Sequence, residues 1–76
     1  MFTIDSLRVG QSARITGFGE MDKSLRARLY GLGFHTGATV ELAHIAPLGC
    51  PLAIKLGNGL ISLRRTEAKH LKLEFL

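Results

Sequence analysis

From Gln11 to Phe18 the chain alternates, with Ala13 and Ile15 on one side and Arg14 and Thr16 on the other. That is the period of a half-buried strand. Gly17 and Gly19 end the run, and Gly10 separates it from Leu7–Val9, which an Asp5-Ser6 turn precedes. The period then changes. Leu25, Leu29 and Leu32 fall at i, i+4 and i+7, so the spacing predicts a helix over Asp22–Leu32 with one apolar stripe. Asp22 stands where an N-cap is needed and four residues before Arg26, and Gly33 stands where a left-handed residue closes a helix. Lys23, Arg26 and Tyr30 lie off the stripe and are expected to face solvent.

Thr36-Gly37 reads as a turn and Thr39–Ile45 as a strand with Val40 and Leu42 inward. His44 keeps the inward parity, so either the strand bulges or His44 is partly buried. Pro47-Leu48-Gly49-Cys50-Pro51 is expected to be a rigid exposed loop, because neither proline has the N–H a central strand needs. Leu52, Ile54 and Leu56 alternate with Ala53 and Lys55. Asn58-Gly59 then predicts a two-residue type I′ hairpin turn, with Leu60–Arg64 as the returning strand. Arg65–Lys69 reads as a short helical turn. Leu71, Leu73 and Phe75 alternate with Lys72 and Glu74 in a last strand that places Phe75 inward. The expected fold is mainly β, a small partly open barrel of about five strands with one inserted α-helix and a short helical turn before the last strand.

The 76 residues amount to one domain, 1–76. Ten Lys and Arg against six Asp and Glu give a net charge of +4, which permits a nucleic acid, an anionic membrane or an acidic protein as partner without choosing among them. The cations form two loose groups, Lys23-Arg26-Arg28 and Arg64-Arg65-Lys69-Lys72, read here as solvated basic faces. Trp is absent and aromatics are few, so there is no stacking platform and no nucleic-acid partner is expected. The same poverty of aromatics argues against a proline-peptide groove. The single cysteine, Cys50, allows no internal disulfide and suits a reducing cytosol. Met1–Asp5 lacks a basic segment followed by an apolar run, so no signal peptide is expected. The longest uncharged stretch, Leu42–Ile54, is 13 residues and is interrupted by Pro47, Gly49 and Pro51, too short and broken to insert in a membrane.

Catalytic signatures are missing. No serine sits in Gly-x-Ser-x-Gly, there is no Cys-x-x-Cys or His-Glu-x-x-His, and the carboxylates are scattered. Gly17-Phe18-Gly19 has Asp22 where a dinucleotide loop needs its third glycine, and the Gly31–Gly37 run follows a helix instead of opening one. An enzyme is not expected, nor a bound cofactor. The spacing of the histidines and Cys50 matches no metal module; His35, His44 and Cys50 are the weak candidates for a site assembled in space.

The order of motifs is distinctive. A helix ends Arg28-Leu29-x-x-Leu32-Gly33, then Gly37, a strand, Ala46-Pro47-Leu48-Gly49-x-Pro51, a second strand, Leu63-Arg64 and Glu67-Ala68. Over about Leu7 to Phe75 this resembles the FeoA family, small cytosolic accessory proteins of bacterial ferrous iron transport. The resemblance implies an SH3-like barrel with an added helix. It also implies a partner, the cytosolic side of the FeoB-type membrane iron permease with its GTP-binding domain, and hence a location at the inner membrane through that partner. The family commonly has Asp in the proline loop where this chain has Cys50. The same barrel resembles the C-terminal domain of metal-dependent repressors of the diphtheria-toxin-repressor type, which carry their reading helix elsewhere. On this reading the chain is a non-enzymatic adaptor with Arg26, Tyr30, Leu48 and Cys50 as candidate partner contacts. The alternative is a metal-responsive module that binds Fe²⁺ or another divalent ion weakly. Unprotected barrel edges leave self-association open.

Overall fold

Each run of alternation becomes a strand in the computed structural model, which describes residues 3–76. The signal-peptide expectation rests in part on Met1 and Phe2, which lie outside the described residues. Strands β1 (Ser12–Phe18), β2 (Thr39–Ile45), β3 (Leu52–Leu56), β4 (Gly59–Leu63) and β5 (Leu71–Phe75) form one five-stranded sheet in the order β4-β3-β2-β1-β5. Every pairing is antiparallel. The sheet is open, with β4 and β5 as its edges. A 3₁₀ turn (Ile4–Ser6) precedes β1, helix α1 (Lys23–Leu32) lies between β1 and β2, and the short α2 (Arg65–Ala68) joins β4 to β5.

The inward positions meet in one core. Ala13, Ile15, Val40, Leu42, Leu52, Ile54, Leu63, Leu71 and Leu73 come from the strands, and Ile4, Leu7, Leu29, Phe34 and Ala68 from the segments between them. No polar or charged side chain is buried among the described residues. Stability therefore comes from apolar burial, and the described interior holds no ionisable group.

Asp22 caps α1: its Oδ1 accepts from the Leu25 N–H at 2.7 Å, a local bond in place of an ion pair with Arg26. Gly33 closes the helix at φ 104°, and the next N–H, that of Phe34, donates back to the Leu29 carbonyl at 2.9 Å. A Cβ at Gly33 would stand 3.0 Å from Leu56 Cδ2, so backbone conformation and close packing both favour glycine there. The turn sends Phe34 into the core. This corrects the expected stripe: Leu29 is buried and Leu25 half-buried, but Leu32 remains 41% exposed because Phe34 fills the core beyond the helix end.

Three other expectations resolve or change. At His44 the β2–β3 register shifts between Leu42 and His44, so the strand bulges. His44 then sits opposite the outward Ala53 and is exposed, while Ile45 takes the place opposite Leu52. The hairpin turn is Gly57-Asn58 instead of Asn58-Gly59, since Leu56 pairs with Gly59. Only Gly57 has a positive φ (60°), the pattern of a type II′ turn. The reason lies farther along the chain. An Asn58-Gly59 turn would set Arg65 opposite Leu52 on the buried face, whereas the observed register sets Leu63 there and releases Arg65 to α2. Phe75, expected inside, is 41% exposed; it pairs with Ala13 at the far end of an edge strand, beyond the core.

Candidate functional site

The segment 46–51 links β2 to β3 and stands out from the sheet. Its base is closed by the Ala46 N–H donating to the Pro51 carbonyl at 3.2 Å, and its turn by the Gly49 N–H donating to Ala46 at 2.8 Å. Leu48 occupies the tip and is 97% exposed. A leucine so placed contributes nothing to the core.

The loop is pinned from outside by Arg65. β4 pairs with β3 as far as Leu63 opposite Leu52, so α2 begins beside the end of the loop. From there Arg65 Nε donates to the Gly49 carbonyl at 2.6 Å, and its Nη1 donates to Asp5 Oδ1 on the 3₁₀ turn. One guanidinium thus ties three segments, and a charged donor makes a stronger bond than a neutral one. In the sequence Arg65 reads as one of a solvated basic group, Arg64-Arg65-Lys69-Lys72. No local signal marks this role, because its partners lie 16 and 60 residues away.

Glu67 does comparable work on the neighbouring side. Its Oε1 accepts from the Arg64 N–H at 3.0 Å and its Oε2 from Arg28 Nη2 at 2.7 Å, so it caps α2 and binds α2 to α1. With its side chain only 18% exposed, this pair is better shielded than Arg14–Glu74, whose side chains are both about half exposed. A depression of about 450 Å³ lies between Arg28, Pro51, Ser62, Arg64 and Glu67, where the loop end meets α1 and α2.

The residues singled out from sequence fall in separate places. Leu48 and Cys50 share the loop, and the Cys50 thiol is free and exposed. Arg26 and Tyr30 lie on α1. Tyr30 is 49% exposed, yet its ring stacks on Phe18 with centroids 5.0 Å apart, so it shields an apolar neighbour as well as facing solvent. Arg26 is exposed, and roughly 200° of helix rotation separates it from Arg28, the helix residue that meets the loop end. His35 lines a groove of about 650 Å³ with Leu32, Lys55 and Leu56, near the start of β2, while His44 is at the other end of that strand. Among the described residues no three of His, Cys, Asp or Glu gather where they could hold a metal ion.

Fold and surface together define a small SH3-like β domain whose most prominent projection is a pinned, proline-bounded loop with an apolar tip. The FeoA domain model matches residues 2–74, and the chain belongs to the FeoA family. The iron(II) transport protein A of Clostridium thermocellum is 35% identical with a TM-score of 0.90; the match covers 99% of this chain and 46% of that one, so this chain spans just under half of that protein's length. The FeoA of Stenotrophomonas maltophilia, solved with zinc and described as a prokaryotic SH3 domain protein, is 27% identical with a TM-score of 0.83, over 97% of this chain and 91% of that one. A manganese-dependent transcriptional repressor shares the fold at 9% identity and a TM-score of 0.88, over 99% of this chain and 41% of that one. No curated protein matches the sequence. Among the described residues no helix is long and apolar enough to cross a membrane.

The family motifs acquire physical meanings here. Leu29, Leu63 and Ala68 are core residues, Gly33 closes α1, and Arg28 and Glu67 form the bridge between helices. Leu48 is the large apolar motif residue left almost wholly in solvent.

Proposed function

We propose that this protein is a non-enzymatic accessory component of bacterial ferrous iron uptake that binds the cytosolic side of a FeoB-type GTP-binding iron permease and modulates its assembly or activity. The observation that carries this reading is Leu48, 97% exposed on a loop that internal hydrogen bonds and Arg65 hold in place. A preformed loop loses little conformational entropy on docking, so the burial of one leucine in an apolar socket is realised almost in full. Family membership supplies the transport context. Arg26 and Tyr30 form a second contact on α1, both residue types favoured at energetic centres of interfaces. Cys50 lies at the rim of the loop contact. In this reading the protein works in the cytoplasm, at the inner membrane through its partner.

Amide mapping tests the assignment. When the ¹⁵N-labelled protein is titrated with detergent-solubilised permease, amides of residues 46–51 should broaden first, followed by those of the Arg26–Tyr30 face. Broadening confined to β4 or β5 would overturn this assignment. Weak metal binding through His35, His44 or Cys50 is the second reading, favoured by the zinc-bound state of the Stenotrophomonas relative.

A further inference from the structure

The two edges of the sheet are unlike. β5 carries Lys72 and Glu74 and lies against the 3₁₀ turn, whereas β4, Gly59-Leu60-Ile61-Ser62-Leu63, has no charge at all. Leu60 is 66% exposed, and among the described residues the only strand paired with β4 is β3. Charge is a common means of keeping sheet edges apart, and β4 lacks it.

The register says which backbone groups are free. In a two-residue hairpin the pair that closes the turn exchanges both hydrogen bonds, and bonded and non-bonded pairs then alternate. Here the closing pair is Leu56–Gly59, so Ile54–Ile61 and Leu52–Leu63 are the bonded pairs. Leu60 and Ser62 therefore point their N–H and C=O groups away from β3, along the open edge.

We infer that β4 pairs antiparallel with β4 of a second copy of this chain, about a two-fold axis at Ile61. The register is self-complementary. Leu60 of each copy falls opposite Ser62 of the other, and the free groups of both residues make four hydrogen bonds across the axis. Ile61 meets its own counterpart as a non-bonded pair, the closer kind, and apolar cross-strand pairs are favourable. The flanking charge is compatible too: Arg64 of one copy faces Asn58 of the other, so the pairing sets no like charges opposite each other. A five-residue edge buries less than the roughly 1,200–2,000 Å² of a stable interface, so the association is weak and depends on concentration. This pairing needs only the isolated chain and does not depend on the permease.

Register-specific cross-linking tests it. Ile61→Cys and Leu60→Cys are each made in a Cys50→Ser background and mildly oxidised at high and low protein concentration. Opposed non-bonded residues have Cα atoms about 4.5 Å apart, within disulfide range, whereas the two Leu60 positions are offset along the strands. Ile61→Cys should form a species of twice 8.3 kDa at least about tenfold faster than Leu60→Cys. Adding Ser62→Pro should suppress it, because the N–H removed is one that faces the open edge. Ser62→Lys puts charge on the edge and should do the same without altering the β3–β4 ladder. Equal rates for the two cysteines, cross-linking that survives both Ser62 changes, or no concentration dependence would each overturn the inference.

Discussion

Leu48→Asp combined with Arg26→Glu is expected to abolish binding to the permease in a domain that stays folded. Leu48 is 97% exposed and Arg26 makes no ion pair among the described residues, so neither change touches the core. Surface substitutions of this kind usually cost within about 0.5 kcal/mol of stability. Binding should respond very differently. An anchor leucine replaced by Asp forfeits its burial and also brings an unpaired carboxylate into an apolar socket, where desolvation opposes it. Leu48→Asp alone should raise Kd about a hundredfold, equivalent to about 2.7 kcal/mol. Arg26→Glu acts on a separate face of α1, so its smaller effect should add to the first instead of duplicating it. Titrations of both single variants and the double variant, each checked by circular dichroism, measure this. Full-affinity binding by the folded double variant would remove both contacts from the interface.

The second large effect is expected at Arg65→Met, which keeps an extended side chain but removes the donors to Gly49 and Asp5. The side chain is 40% exposed, so solvent recovers part of the loss. A stability decrease of about 1–2 kcal/mol is expected, the roughly 1.5–3 kcal/mol of a hydrogen bond to a charged group reduced by that exposure. For a domain of this size that lowers Tm by roughly 4–16 °C. The functional consequence is indirect. With its outer pin removed the 46–51 loop samples more conformations, and ordering it again on docking should weaken permease binding about tenfold. Asp5→Asn separates the two ties, since it weakens the tie to the 3₁₀ turn and leaves the bond to Gly49. It should lower Tm less than Arg65→Met and leave Kd nearly unchanged. If Arg65→Met lowers Tm without changing Kd, the loop does not need the pin in order to bind.

Local pattern was enough to read most of the fold. β2, β3 and β5 begin and end where alternation and turn residues put them, and Asp22 and Gly33 bracket α1 as their chemistry requires. These features are set by neighbours in sequence. What was not legible depends on distant partners. The hairpin takes Gly57-Asn58 because a different register would bring Arg65, six residues beyond Gly59, onto the buried face. Phe75 continues an inward parity, but parity cannot show where the core ends. The exposed proline loop was readable from Pro47 and Pro51. Its pinning by Arg65 and the bridge from Arg28 to Glu67 were not, since charged residues 16, 39 and 60 positions from their partners leave no periodic trace.

One titration shows whether this domain docks on the iron permease. Full-length detergent-solubilised permease is titrated with the protein, with and without a non-hydrolysable GTP analogue. Saturable binding is predicted. A difference in affinity between nucleotide states would mean, by linkage, that the domain also shifts the nucleotide equilibrium. No binding in either state, with both proteins shown to be folded, would mean that the permease is not the partner of this domain.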